Sequence, residues 1–253
     1  MLIRIRASLI HLTISFVLVS CVIVFMLAVC YPYPYFKIIG VGKLLLLLAV
    51  TDICVGPLIT LVIFNPQKKW LRLELAFVAL LQFAALAYGA GTIFAGRPAY
   101  LIFDENGFSL VSAYQIPQTE LPAMGGKFLP MTGPKIFGAR IPTNKEQRRR
   151  FISEALKYHV DLPRMPQFYV PYTEMTNDVK GKMKPLSVLL KRQAPEKFVA
   201  AKAALDDAVT KSRHRPEELA FVPMTERDEN LTVLVIQSDA RIVDILGIDP
   251  YGG

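Results

Sequence analysis

Residues 44–64 have the sequence LLLLLAVTDICVGPLITLVIF, in which Asp52 is the only charged side chain. A helix that crosses a bilayer needs about 20 predominantly apolar residues, because it rises about 1.5 Å per residue. Residues 7–30 and 75–94 also meet this requirement. Backbone groups in lipid must form their hydrogen bonds within the segment, so each stretch is predicted to be a helix. The sequence therefore predicts three N-terminal transmembrane helices.

The rest of the chain has the charge content of a soluble domain. Of 29 Lys and Arg and 21 Asp and Glu residues, residues 1–96 hold only 7 and 2. The 253 residues are 53% hydrophobic and 20% charged, which excludes a disordered protein, a fully soluble enzyme and a small disulfide scaffold. We predict a membrane anchor over 1–96 and a globular domain over 97–253. Most of the net charge of +8 comes from basic residues beside the apolar helices, so it does not indicate nucleic-acid binding.

The basic residues also predict the orientation of the anchor. Arg4 and Arg6 precede the first apolar stretch, and Lys68, Lys69 and Arg72 lie between the second and the third. The positive-inside rule places such residues in the cytoplasm. Three crossings then place residues 97–253 on the outer side, which is the periplasm for the inner membrane of a Gram-negative cell.

Cysteines are confined to the anchor. Cys21, Cys30 and Cys54 all lie in apolar stretches, so the outer domain can form neither a disulfide nor a thiolate metal site. Residues 18–21, LVSC, resemble a lipobox, in which Cys21 would carry a lipid. The chain continues apolar over 22–29, where a mature lipoprotein usually becomes polar. Lipidation of Cys21 therefore stays an open alternative.

Polar and small residues inside the membrane are the candidate site. Asp52 lies near the middle of the second helix, and Gln82 is at a similar depth in the third. The Asp52 carboxyl either bonds to Gln82 and locks the two helices together, or offers a polar contact to a partner's membrane helix. Ala85 and Gly89, with a parallel pair at 87 and 91, have the spacing that lets helices approach closely. That face serves either internal packing or a partner.

The outer domain combines strands and helices in an order typical of the α+β class with antiparallel strands. A hairpin is predicted over 100–111, with a turn at the sequence DENG, followed by an irregular crossing over 115–145. Residues 161–172 are rich in proline and aromatic side chains and are predicted to be extended. The remaining predicted elements are helices at 145–159, 175–192 and 195–211 and strands at 219–223, 231–237 and 241–248.

No pattern of catalytic residues is found in the outer domain. His159 and His214 are its only histidines, and neither belongs to a metal-binding motif. Residues 125–127, GGK, lack the spacing of a phosphate loop. The run Arg148–Arg150 is interpreted as a charged helix face, with binding of a phosphate or an acidic partner as the alternative. We therefore predict no catalytic, cofactor or metal residues and expect a protein that is not an enzyme.

A series of short motifs runs along nearly the whole chain. The motifs are Gly56-Pro57-Leu58 with Phe64; Lys69, Leu71 and Glu74; Gln82, Ala85 and Tyr88-Gly89; Arg97-Pro98; Phe103 with Phe108–Val111; Gly133-Pro134; Asp161-Leu162; Tyr169–Tyr172; and Ile248–Pro250. In this order they resemble the TfpX/TfpZ family of type IV pilin accessory proteins. The family pattern has Asp where this chain has Glu74, and Trp where it has Tyr251.

The resemblance implies an inner-membrane protein that assists type IV pilus biogenesis by binding or chaperoning its pilin. The implied partners are the membrane helix and the periplasmic head of the pilin, other pilus assembly proteins and the lipid bilayer, without nucleic acid or a cofactor. Two alternatives stay open. One is a membrane enzyme that modifies pilin or envelope polymers. The other is a membrane-anchored sensor, which would need a signalling partner because its longest cytoplasmic segment is residues 65–74.

Overall fold

The computed structural model describes residues 1–116, 129–226 and 229–252. The chain divides into two compact units. The anchor unit comprises Met1–Arg97 with Met131–Gly133, and the sheet unit comprises Pro98–Pro130 with Pro134–Gly253. Residues 117–128 of the predicted crossing over 115–145, including the GGK sequence at 125–127, lie outside the described residues.

Three helical spans form the anchor unit, as predicted. Each is long and apolar enough to cross a membrane: span 1 is Leu2–Cys30, span 2 is Gly42–Ile63 and span 3 is Leu71–Ala95. Spans 1 and 3 begin several residues before the apolar stretches seen in the sequence, because the helices continue into their charged flanks. The anchor helices are α1 (Leu2–Phe25, extended by a π-helical turn, Met26–Cys30), α2 (Tyr35–Ile39), α3 (Gly42–Val50), α4 (Gly56–Ile63) and α5 (Leu71–Ala95).

A mixed eight-stranded sheet forms the second unit, and the predicted α+β class is confirmed. The strand order is β4-β3-β1-β2-β6-β7-β8, and β5 pairs with β6. Neighbours are antiparallel except β1 with β3 and β2 with β6, which are parallel. The strands are β1 (Pro98–Asp104), β2 (Gly107–Ser112), β3 (Lys135–Ala139), β4 (Tyr169–Pro171), β5 (Lys184–Pro185), β6 (Leu219–Glu226), β7 (Glu229–Ile236) and β8 (Ile242–Leu246).

The hairpin of β1 and β2 confirms the prediction from the DENG sequence. Asp104 pairs with Gly107 at its end, and the Asp104 carboxylate accepts a hydrogen bond from the Asn106 N–H at 2.8 Å. Gly107 has φ +123°, and an added Cβ would lie 2.5 Å from the carbonyl oxygen of Pro223. Only glycine fits both the backbone conformation and this close approach. The hairpin therefore fixes where β2 meets β6.

Within the described residues, four α-helices accompany the sheet: α6 (Lys145–Tyr158), α7 (Thr176–Lys182), α8 (Leu186–Lys191) and α9 (Pro195–Ser212). Asn144 caps α6 by accepting from two backbone N–H groups of its first turn. The prediction of one helix over 175–192 is wrong, because α7 ends before β5 and α8 begins after it. Pro185 disfavours a helical conformation of the residue before it and supplies no N–H to a continuing helix. Residues 161–172 form 3₁₀ turns before β4 rather than one extended segment.

The core of the sheet unit lies on the strands. One cluster joins α8 and α9 to β6, β7 and β8, with Leu189, Leu205 and Phe221 among its buried side chains. A second cluster surrounds β1 and includes Tyr100 and Ile102. The first cluster takes every second position of a strand, as Leu219 and Phe221 of β6 show, because successive side chains of a strand point to opposite faces of the sheet.

Candidate functional site in the membrane anchor

A π-helical turn interrupts span 2 at Thr51–Val55. In such a turn the carbonyl of residue i accepts from the N–H of residue i+5, which for Asp52 is Pro57. Proline has no N–H, so the Asp52 carbonyl loses its partner within the helix. Gln82 of span 3 supplies the missing donor, since its Nε2 lies 3.0 Å from the Asp52 carbonyl oxygen. The two spans are thereby joined at the helix irregularity.

Gly56 makes room for this contact. A Cβ added at Gly56 would lie 1.9 Å from Gln82 Nε2, so the amide packs directly on the glycine backbone. Asp52 and Gly56 are four residues apart and lie on the same face of span 2. A bulkier residue at 56 would push the Gln82 amide away from the carbonyl that it serves.

Two side chains beside the π-helical turn, Asp52 and Gln82, have oxygen atoms without a hydrogen-bond partner in the described part of the chain. The Asp52 side chain is only 4% exposed and has no hydrogen-bond or ion-pair partner among the described residues. Gln82 Oε1 is likewise buried without a partner. The predicted bond between the Asp52 carboxyl and Gln82 is thus replaced by a bond to the Asp52 backbone. The second interpretation of the sequence, a contact between the Asp52 carboxyl and a membrane helix of a partner, stays a prediction.

Two adjoining cavities lie between spans 1 and 3. Their volumes are about 100 Å³ and about 370 Å³, and both are lined by His11, Ile14 and Ala79. The smaller one reaches Asp52 and Gln82, and the larger one reaches Thr60. We call the two together the lateral groove: its walls are Ile14, Leu18, Ala79 and Phe83, and its floor is Asp52, Gln82 and Thr60.

The groove is apolar at its rim and polar at its floor. Ile14 is 53% exposed and Phe83 is 65% exposed, whereas Asp52 and Thr60 are 4% and 3% exposed. Since the rim faces the surroundings of the anchor, the groove opens sideways, towards lipid. The arrangement can hold apolar side chains against its walls and one polar group against its floor.

Hydrogen bonds between spans 1 and 2 support the floor. Ser8 Oγ donates to the carbonyl oxygen of Pro57 at 2.9 Å, and His11 Nδ1 lies 2.6 Å from Thr60 Oγ1. His11, Ser15 and Thr60 were not among the predicted site residues. A signal was present, because Ser8, His11 and Ser15 follow the helical repeat on span 1, as do Asp52, Gly56 and Thr60 on span 2.

The small residues of span 3 separate into two groups. An added Cβ on Gly89 would lie 2.5 Å from Leu48 Cδ1, so Gly89 packs against span 2. Ala85 and Ala87 are exposed, and Gly91 has no atom within 4 Å of an added Cβ. Gly89 therefore allows close packing inside the anchor, while the other three small residues face outwards.

The sheet unit contains a cavity of about 480 Å³ beside the β1–β2 hairpin. Asp104, Arg140 and Asp178 line it, and Arg140 Nη2 bonds to Asp178 Oδ2 at 2.5 Å. Burial raises the pKa of Asp104 above the ordinary aspartate value.

Within the described ranges, no three His, Cys, Asp or Glu side chains are grouped to hold a metal ion. His159 terminates α6 in the left-handed conformation, and His214 lies 3.5 Å from Glu218.

Comparison with known proteins finds fimbrial assembly proteins. The family model described as Fimbrial assembly protein FimB matches residues 1–40. Fimbrial assembly protein, serogroup E1, from Dichelobacter nodosus is 27% identical over 97% of this chain and 95% of its own length. The serogroup I protein of the same organism is 26% identical with the same coverage. The protein of serogroups C1 and C2 is 32% identical over 46% of this chain and 91% of its own length. No solved structure matches.

Proposed function

The chain belongs to the FimB family of fimbrial assembly proteins, and from that premise we propose that it assists type IV pilus assembly by binding and chaperoning the pilin. The observation that carries this proposal is the extent of the likeness, which covers 97% of the chain. Both the anchor and the sheet unit therefore belong to the shared architecture. The resemblance to type IV pilin accessory proteins in the sequence supports the same partner.

The proposed location is the bacterial inner membrane. Arg4 and Arg6 before span 1, and Lys68, Lys69 and Arg72 between spans 2 and 3, support an N-terminus in the cytoplasm and a sheet unit in the periplasm. Alkaline phosphatase fused after residue 252 is expected to be active, and the same enzyme fused within residues 65–69 is expected to be inactive. The reverse pattern would contradict the orientation.

The proposal divides the work between the two units. A pilin is held in the inner membrane by one N-terminal helix, with its globular head outside. The anchor, with its lateral groove, is suited to contact that helix, and the sheet unit is suited to contact the head. An association through both would keep the pilin in the membrane before assembly.

Affinity purification in mild detergent tests the proposal. We expect the pilin to co-purify with the full-length protein from piliated cells, at a ratio close to one to one by quantitative mass spectrometry. A variant with Asp52→Ala and Gln82→Ala is expected to retain less pilin. Leu80→Ala is the control, because Leu80 is 66% exposed and lines neither cavity of the groove. Absence of pilin from the wild-type purification, even after crosslinking, would overturn direct binding.

We also propose that the protein acts without catalysis. The alternative is an enzyme that modifies the pilin, for which the cavity beside Asp104 would be the place to look. The intact mass of pilin from cells with and without the protein distinguishes an accessory protein from an enzyme. An unchanged pilin mass supports an accessory role, whereas a mass difference that depends on the protein indicates an enzyme.

A further inference from the structure

We propose that the lateral groove is the binding site for one membrane helix of the pilin, and that this helix places a hydrogen-bond donor against Gln82 Oε1 and the Asp52 carboxyl. The identity of the partner rests on the proposed function. The chemistry of the site rests on the groove itself. The two parts can therefore be tested separately.

The floor of the groove is incomplete. Asp52 is 4% exposed without a side-chain partner among the described residues, and Gln82 Oε1 is buried without one. Water is scarce at this depth, so polar groups in lipid depend on protein partners. One N–H of Gln82 Nε2 already donates to the Asp52 carbonyl, whereas Gln82 Oε1 has no donor. The floor therefore still requires a hydrogen-bond donor for Gln82 Oε1. The same donor group can also bond to the Asp52 carboxyl.

The walls of the groove suit a membrane helix in shape and in polarity. Ile14, Leu18 and Phe83 present apolar surface at the opening, and Ala79 leaves space between spans 1 and 3. Small residues allow a neighbouring helix to approach closely, and apolar walls suit its side chains. A lipid acyl chain could fill the same space but would supply no donor. The occupant that fits is an apolar helix with one polar side chain at the depth of Asp52.

The donor can be a hydroxyl, an amide or a protonated carboxyl. Each is neutral, so it can enter the membrane at lower cost than a charged group. A protonated carboxyl can donate to Gln82 Oε1 and accept through its second oxygen. The site thus recognises a membrane helix by a single polar position, while the apolar walls supply contact area without sequence preference.

A photocrosslinking amino acid in the full-length protein tests this inference in piliated cells. Ile14 lines both cavities and is 53% exposed, while Phe16 lies two residues away, is 58% exposed and lines neither. We expect about three- to tenfold more pilin adduct from position 14 than from position 16. Equal adducts, more adduct from position 16, or an adduct at position 14 with a second copy of this chain would overturn the inference.

A second pair of variants blocks the groove without disturbing the packed interior. Ala79 lines both cavities and is exposed, and Ala84 is exposed on the same span but lines neither. Ala79→Leu is expected to lower pilin co-purification about three- to tenfold, and Ala84→Leu is expected to leave it unchanged. Equal expression and equal elution volume in detergent show that both variants fold.

The outcomes separate the inference from the proposed function. If the wild type, Ala79→Leu and Ala84→Leu retain the same amount of pilin, the proposed function stands and the groove is not its binding site. If the wild type retains no pilin and gives no pilin adduct at either position, the proposed function fails and the inference fails with it. Loss of pilin from Ala79→Leu alone, together with the adduct from position 14, supports both.

Discussion

The anchor and the sheet unit are each stabilised internally, but by different forces. In the sheet unit, Leu101, Phe221 and Val233 are fully buried, and the strands around them form continuous apolar clusters. In the anchor, most of each span faces outwards, and specific polar contacts join the spans. Apolar burial drives association in water, but lipid solvates apolar side chains as well as protein does. Polar contacts and small residues therefore carry a larger share of helix association in the anchor.

Buried polar groups show the same difference. Thr232 is fully buried in the sheet unit, and its hydroxyl donates to the carbonyl oxygen of Ile248 at 2.7 Å. Asp52 is almost as buried in the anchor, yet its carboxyl has no partner among the described residues. A satisfied group stabilises its own unit, whereas an unsatisfied one destabilises it and is available to a partner. The contrast shows that Thr232 stabilises its own unit, whereas the Asp52 carboxyl contributes no hydrogen bond to the described anchor.

The largest expected loss of stability comes from creating a cavity in the core of the sheet unit. Phe221→Ala should lower the free energy of unfolding of this unit by about 3–5 kcal/mol, because Phe221 is fully buried between strands and helices. Thermal unfolding of the full-length protein in detergent measures it. Phe198→Ala is the control, since Phe198 is 39% exposed and should cost far less. Similar losses from both would contradict the assignment of the core.

A backbone change at the hairpin ranks second. Gly107→Ala should cost about 1–3 kcal/mol, because φ is +123° and the new methyl group would meet the Pro223 carbonyl. The same unfolding measurement applies. Gly181 lies in α7 with no atom within 4 Å of an added Cβ, so Gly181→Ala should be neutral or slightly stabilising. An equal cost at the two glycines would show that the close approach of β2 and β6 is not needed.

Removal of a polar contact should have a smaller but specific effect in the anchor. Gln82→Leu keeps the apolar volume but leaves the Asp52 carbonyl without its donor, which should cost about 1–2 kcal/mol. Steric trapping of the anchor in micelles measures this free energy. Leu81→Ala, at an exposed neighbouring position, is expected to change it little. A Gln82→Leu variant as stable as the wild type would mean that span packing alone holds the anchor together.

The smallest expected effect is a pH dependence of the sheet unit. Burial raises the pKa of Asp104 in the folded state, so the folded protein binds a proton more readily than the unfolded chain. This contribution to stability is complete below the ordinary aspartate pKa of 3.8 and is lost as pH rises through the raised folded-state value. Asp104→Asn should flatten unfolding free energy against pH in this window. An unchanged slope would assign the pH dependence to other groups, such as Asp244.

Local features of the sequence predicted much of the fold. The three spans followed from apolar length, the β1–β2 hairpin from DENG between apolar runs, and α6 from a capping residue before a periodic stretch. Each of these depends on residues close together in the chain. The break between α7 and α8 was also signalled locally, by Pro185, but the prediction extended one helix through it.

Long-range features were not predicted. The parallel pairing of β2 with β6 joins Phe108 to Met224, and nothing in either strand specifies the other. The floor of the groove depends likewise on three spans meeting at one depth. Asp52 and Gln82 were identified because polar residues are rare in apolar helices. Their contact through the Asp52 backbone required the π-turn, Pro57 and Gly56 to be seen together.

The sequence by itself determined that this chain has a three-helix anchor and an α+β domain, because hydropathy, turn residues and helix caps act over a few neighbouring positions. It also determined the family, through motifs spread along the chain. Only the tertiary structure decided that Gly89 faces span 2 while Ala85 faces outwards, and that the Asp52 carboxyl has no partner in the described chain. Those facts depend on how each helix is rotated against the others. That rotation is set by many weak contacts acting together across the anchor.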